Sequence, residues 1–249
     1  VVLPPEEGRL TTSSVRVLVA TAVPVERDAV AQAFPGACVQ LPGPGITVHR
    51  PPHGPDLLAA GVGPALAAAS TAAALTAAAL DGDPYALVVS AGIGGGFAPH
   101  APVGSLVVAD EITAADLGAE TADGFLPVTE LGFGTVTHFP PAGLVAAVTT
   151  ATGALPGTVL TGSTVTGTAG RAALLRDRHP RALAEGMEGF GVAEAAAAHG
   201  VPVLELRAVS NPVGPRDRAA WRIGDALAAL TDAFGKLAPV LSSWTPHDD

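Results

Sequence analysis

Aromatic residues make up 4% of the 249 residues, lysine occurs once, at Lys236, and cysteine once, at Cys38. Each shortage closes something off. A single cysteine excludes an internal disulfide framework and any cysteine-rich metal site, and reads as a small core side chain. One lysine and a formal charge of -10 leave no basic footprint for nucleic acid or an anionic membrane surface. The seven histidines form no cluster with cysteine, and the one pair at H-x-x-x-H spacing, His49 and His53, is split by Pro51 and Pro52, so no metal is expected. No G-x-S-x-G elbow is present, which removes support for a serine hydrolase. Apolar runs of the ~18 residues a membrane span needs are absent, the alanine-rich Pro64–Leu80 coming closest between Gly63 and Asp81. The opening VVLPPEEGRLTTSS carries acids and no apolar h-region, so it reads as a flexible leader rather than a secretory signal, and a cytoplasmic protein is expected.

Small aliphatic side chains are what the chain has in quantity. Hydrophobic residues reach 48%, and alanine and glycine dominate. With so few rings, the core must come from helices packed closely on a sheet. The length suits one large domain over residues 15–249, after a leader of residues 1–14.

VRVLVAT (15–21) predicts a buried strand, Pro24 a first-turn helix position and VERDAVAQAF the helix itself. Short strands are expected near 38–41, 46–49 and 56–62, then a long helix over 64–80 stopped by DGDP. ALVVSAGIGGGF (86–97) predicts a strand running into a glycine loop, and GSLVVADEI another strand. Proline and glycine thicken over 123–143, which predicts loop. LVAAVTTA predicts a helix and TVLTGSTVTG a strand; GRAALLRDRHP and MEGFGVAEAAAAHG predict further helices. PVLELRAVSN reads as the last strand and RAAWRIGDALAALTDAF as the closing helix. The alternation predicts an α/β fold with a parallel or mixed sheet between helical layers.

Four features could carry chemistry, and each has a plain structural reading beside it. Gly92-Ile93-Gly94-Gly95-Gly96-Phe97 begins as G-x-G, but Phe97 stands where a dinucleotide fingerprint needs glycine, and no strand-ending acid follows. It can let a flat ligand approach the backbone, or be a tight turn at a sheet edge. Glu26 sits in the first turn of a helix at the carboxyl edge of the sheet, where ligands bind and where acids also complement the helix dipole. Glu188, between Met187 and Gly189, starts another helix and faces the same choice. Asn211 ends a strand before Pro212 and Gly214, as a purine contact or as a loop cap.

Taken in order, three stretches resemble the nucleoside phosphorylase and nucleosidase superfamily over residues 15–235: VATAVPVERDAV, SAGIGGGFAPHAPVGSLVVADEI and GMEGFGVAEAAAAHGVPVLELRAVSN. The resemblance implies a three-layer α/β/α fold with a central mixed, partly barrel-like sheet, a homodimer or higher homo-oligomer, and no metal or cofactor. It implies Glu26 as the base that activates water, Glu188 as holder of the ribose hydroxyls, and Met187 beneath the sugar. It also places Gly94, Gly95, Val165 and Thr166 against the substrate. Those residue types suit N-glycosidic cleavage, because a carboxylate stabilises the oxocarbenium-like ribose better than any neutral group. At the ordinary glutamate pKa of about 4.3, Glu26 is ionised at neutral pH.

Members that use phosphate hold it with an arginine and a serine; aligning GGFAP puts Ser90 and Ile93 at those positions, so water is the expected nucleophile. Adenine-directed members place an aspartic acid where this chain has Asn211. An amide can donate to a 6-oxo group and accept from N7-H, which reads as hypoxanthine. Protonation of the base then falls to water or to Asp217. SNPVGPRDRAAW is most similar to the branch that hydrolyses futalosine, whose benzoate tail would need a cation, Arg216 or Arg218, and an apolar slot, lined by Phe97, Phe133 or Phe139. As structure only, RDR is a solvated loop with an internal ion pair. Three rivals remain: an adenine-specific methylthioadenosine or S-adenosylhomocysteine nucleosidase, an inosine-directed phosphorylase, and a nucleoside-binding protein without catalysis. Retention of both Glu26 and Glu188 speaks against the last.

Overall fold

The computed structural model describes residues 15–245; the leader expected over 1–14 lies outside them. The centre is a ten-stranded mixed sheet. Strands β1 (Val17–Thr21), β4 (Asp56–Ala59), β5 (Leu87–Gly96) and β12 (Val203–Pro212) lie parallel, with β1 between β4 and β5, and β5 between β1 and β12. Beyond β12 come β6 (Leu106–Ala114), antiparallel to it, then β10 (Leu155–Thr161) and β11 (Ala182–Gly186). β11 turns back to pair with the far end of β5, so five strands close into a barrel. The other edge fans out through β4 to the hairpin β2 (Val39–Gly43) and β3 (Ile46–Arg50). Two-residue β9 (Thr137–His138) adds to β6, and β7 (Gly118–Thr121) pairs with β8 (Gly124–Pro127) as a separate hairpin.

Strand alternation builds the layers. In β1, Leu18 and Ala20 point into the core beneath α2 (Pro64–Leu80) and α5 (Gly189–Ala198). Val17 and Val19 point the other way, into the core beneath α1 (Pro24–Ala31), α3 (Ala142–Thr152) and α6 (Ile223–Ser243). Full burial of one such leucine or valine stabilises by about 1.5–3 kcal/mol. Helix α4 (Ala169–Arg178) covers the barrel end, where Leu175 packs with Phe97 and Leu160. Among the described residues no helix is long and apolar enough to cross a membrane.

The expected long helix has the bounds predicted for it, Pro64 to Leu80. Five other readings need correction. The glycines after Ser90 are strand, not loop: β5 runs to Gly96 because it pairs with β12 on one side and β11 on the other. Side chains are missing there because a Cβ on Gly96 would lie 2.1 Å from the Ala101 carbonyl. The proline- and glycine-rich 123–143 holds β8 and β9, and β11 occupies residues given no element from the sequence. Asn211 lies within β12, beside a register shift, and the closing helix starts at Ile223 after a 3-10 turn at Arg218–Ala220.

Candidate active site

The carboxyl ends of β1, β5 and β12 open beside the starts of α1 and α5, the edge of a parallel sheet where ligands bind. Pro24 starts α1, which places Glu26 at its third residue with the side chain turned back towards the strand edge. Glu26 Oε2 accepts from the Ala22 and Val23 amides at 3.0 and 3.3 Å, as a first-turn acid does. Its Oε1 accepts from the Ile93 amide of β5 at 2.9 Å, so one buried carboxylate ties helix to barrel. Burial pushes the Glu26 pKa up; the Ile93 amide and the neighbouring Arg207 pull the other way without cancelling it. The ordinary value assumed from sequence is therefore too low for this group.

Across the cleft, Glu188 immediately precedes the first residue of α5, and its side chain does not cap the helix. Its Oε1 accepts from the Gly63 amide at 3.2 Å, and its Oε2 accepts from Arg207 Nη1 and the Met187 amide, both at 3.3 Å.

Arg207, which sequence reasoning did not single out, joins these acids. It is buried on β12 and donates from Nε to Glu205 at 2.8 Å, from Nη1 to Glu188, and from Nη2 to Ser90 Oγ at 3.2 Å. Two glycines make its channel: a Cβ on Gly92 would lie 2.7 Å from both Arg207 Nη1 and Glu26 Oε1, and one on Gly186 would lie 3.0 Å from the guanidinium carbon. Burial alone would lower the arginine's pKa, but Glu205, Glu188 and Glu26 outweigh it and hold the guanidinium charged. A signal was present. In LELRAV, Glu205 and Arg207 are two apart, so both leave a buried strand on one face, where charges must pair.

A cleft of about 200 Å³ runs over these groups, and Gly94, Gly95, Val165, Met187 and Asn211 line it with Glu26 and Glu188. Asn211 Oδ1 accepts from Ser210 Oγ at 2.8 Å and Nδ2 donates to the Pro212 carbonyl at 3.1 Å. Each amide atom keeps one further hydrogen-bonding position. Thr166 stands one step back: its amide donates to Glu185 Oε1 at 2.8 Å and its hydroxyl to Glu185 Oε2, while Glu185 faces the cleft. Arg216 lines a small recess that shares Val165, Asn211 and Trp221 with the cleft.

The RDR loop is exposed, as its plain structural reading has it, but without the internal ion pair. The guanidinium carbons of Arg216 and Arg218 lie 5.6 and 5.9 Å from the centre of the Trp221 ring, and neither arginine shows an ion pair to Asp217. Asp217 instead accepts from the Ala219 amide at 3.1 Å and caps the 3-10 turn. Arg218 is not among the residues lining the cleft or its recess. None of the three expected phenylalanines lines the cleft either. Phe97 is 2% exposed in the core, while Phe133 and Phe139 are 63% and 71% exposed elsewhere on the surface. The ring that does line it is Trp221.

Larger cavities, of about 470 Å³ between β1 and α6 and about 580 Å³ beside α3, lack such a group of buried acids. No three His, Cys, Asp or Glu among the described residues are grouped to hold a metal ion.

The sequence pattern of the phosphorylase superfamily matches residues 16–242. The futalosine hydrolase of Streptomyces coelicolor is 83% identical over 231 residues, 93% of this chain and 98% of that protein. That of Acidothermus cellulolyticus is 46% identical over 229 residues, 90% of this chain and 91% of that protein. The fold is similar to a futalosine hydrolase mutant of Helicobacter pylori, with a TM-score of 0.77 at 17% identity over 91% of this chain and 99% of that one. It is equally similar to the Neisseria meningitidis 5'-methylthioadenosine/S-adenosylhomocysteine nucleosidase in complex with methylthio-immucillin-A, with a TM-score of 0.76 at 19% identity over 92% and 99% of the two chains. The chain belongs to the phosphorylase superfamily and, within it, to the futalosine hydrolase family.

Proposed function

We propose that this chain hydrolyses the N-glycosidic bond of futalosine, releasing hypoxanthine and dehypoxanthine futalosine. The observation that carries the reading is its near-full-length likeness to the Streptomyces coelicolor futalosine hydrolase, in a chain whose cleft holds a buried acid on each side. Water adds to C1' of the ribose as the bond to the purine breaks; Glu26 takes the water's proton and the purine leaves with the bonding pair. Glu188 holds the ribose hydroxyls and, with Glu26, stabilises the positive charge that develops on the sugar. Met187 packs beneath the ring.

Asn211 donates to the 6-oxo group of hypoxanthine and accepts from N7-H. An amide is no acid at neutral pH, and Asp217 already caps a turn, so the proton for N7 comes through water. Arg216, beside the Trp221 ring, pairs with the substrate's benzoate carboxylate, with Arg218 behind it.

Water rather than phosphate follows from the charges. A cation does stand beside Ser90, contrary to what the aligned Ser90 and Ile93 suggested, but Arg207 is already engaged by Glu188 and Glu205 with Glu26 next to it. The Ile93 amide is likewise engaged, by Glu26. A phosphate dianion entering there would meet three carboxylates around one guanidinium.

The same reading includes a cytoplasmic single-domain enzyme that assembles as a homo-oligomer. Leu131, Phe133 and Phe139 are among its exposed apolar residues; sedimentation of the purified chain tests the assembly.

Incubation with futalosine, inosine and methylthioadenosine, with and without phosphate, tests the reaction. Hypoxanthine release from futalosine without phosphate is expected, and a phosphate requirement or a preference for adenine release overturns it. Asn211→Asp should move selectivity towards adenine nucleosides by about tenfold or more.

A further inference from the structure

Glu205 is a fully buried carboxylate that the proposed chemistry leaves unused. It precedes Arg207 by two residues on β12, and its Oε1 accepts from Arg207 Nε at 2.8 Å, while its Oε2 has no hydrogen-bond partner. Its place exists because residue 189 is glycine: a Cβ there would lie 2.2 Å from both carboxylate oxygens. The charge thus rests against the first residue of α5, where a helix favours an anion. Facing it are Arg207 on its own strand, Glu188 at the start of α5, and Ser90, its neighbour across β5; beyond the guanidinium lies Glu26 of α1. A neutral side chain would fill the position without burying a charge. The carboxylate is therefore better explained by what it does to Arg207.

We infer that Glu205 is a positioning residue for the reaction: it holds the Arg207 guanidinium through Nε and shares its charge, so that Glu26 is a stronger base than it would be beside an unshared cation. Fixing Nε sets the guanidinium plane, which aims Nη1 at Glu188 and Nη2 at Ser90. Sharing the charge matters because a positive neighbour holds a carboxylate ionised while weakening it as a proton acceptor. A base works best with its pKa raised towards the operating pH, yet still below it. Burial raises the proton affinity of Glu205 as it does that of Glu26, with Arg207 opposing both. The inference rests on the reading of Glu26 as the base.

Glu205→Gln keeps an acceptor for Nε and removes the charge. In carboxyl-carbon NMR titrations, the Glu26 midpoint should fall by roughly 0.5–1 pH unit in this variant. The acid limb of kcat/KM should move with it, and kcat at neutral pH should drop about three- to tenfold with KM within about twofold. Glu205→Asp, which keeps the charge, should hold the midpoint near the wild-type position. An unmoved Glu26 midpoint in Glu205→Gln overturns the inference, whatever happens to activity. Should that variant not fold, the wild-type titration decides: the Glu26 signal must show a second inflection where Glu205 titrates, and a single inflection overturns the coupling. A moved midpoint together with full turnover by Glu26→Gln would remove Glu26 as the base and leave its coupling to Glu205 standing.

Discussion

Two ion clusters sit at opposite ends of the same parallel strands, and they are built the opposite way round. At the amino edge, Asp56 opens β4 as one buried acid among several donors: Arg50 at 2.8 Å, Arg16 at 2.9 Å and the Tyr85 hydroxyl at 2.7 Å. At the carboxyl edge, Arg207 is one buried cation among Glu26, Glu188 and Glu205. Burial pushes Asp56 up, but three donors outweigh it and its pKa ends below the ordinary range. For Glu26 and Glu205 burial wins, because a single guanidinium is divided among three acids. A surplus of donors makes a staple, and a surplus of acids makes groups that hold a proton above the ordinary carboxylate range.

The largest effect that separates the two clusters should come from Glu26→Gln. It should lower kcat by about 10²–10⁴-fold, read in a hypoxanthine-release assay, with little change in the melting temperature. Comparable turnover by this variant would make the carboxyl edge a second staple.

Asp56→Asn should do the reverse. Replacing a buried, multiply bonded carboxylate should cost about 2–3 kcal/mol in denaturant unfolding, with turnover per folded molecule unchanged. Lost turnover at full stability would break the contrast.

Acid should then pull the clusters apart. Asp56 has a depressed pKa in the fold, so its stabilisation is present above its ordinary value of 3.8 and is lost as pH falls through the lower folded value. Glu26 and Glu205 have raised values, so their ionisation destabilises the fold as pH rises from 4.5 through the folded pKa of each. Activity follows the ionised base and should fall on acidification with a limb above pH 4.5, well before the fold is lost. A limb at or below that value would mean that burial does not govern Glu26.

The smallest effect belongs outside both clusters. Arg216→Ala should raise KM for futalosine about five- to tenfold and leave inosine cleavage unchanged, because it removes one charge-assisted contact to the tail only. Equal loss on both substrates would assign Arg216 to the loop rather than to the tail.

Much of the fold was legible because local signals agreed. Gly63 and Pro64 mark the start of α2, Asp81 and Gly82 mark its stop, and the alternation of Val17 to Ala20 between the two cores follows from two-faced strands. β11 was not legible: five residues shortly after α4 pair with β10 and with the distant end of β5, and nothing local announces either partner. The glycines of β5 read as a loop for the same reason, since the strand they belong to exists only once the barrel has closed. Glu26, Glu188 and Asn211 could be picked out singly and do converge on one cleft. Phe97 could not be placed, because an aromatic after a glycine run fits a pocket wall and a core equally well.

The sequence by itself determined the alternation of strands and helices, the absence of a disulfide framework, the small-residue core, and which acids stand at helix starts. Periodicity and turn chemistry are properties of neighbours along the chain. Only the tertiary structure decided that Arg207 lies between Glu188 and Glu205 with Glu26 beside it, in a channel that Gly92 and Gly186 leave open. Those groups span residues 26 to 207, and the field that makes Glu26 a raised acid comes from burial and from charges that chain closure alone brings together.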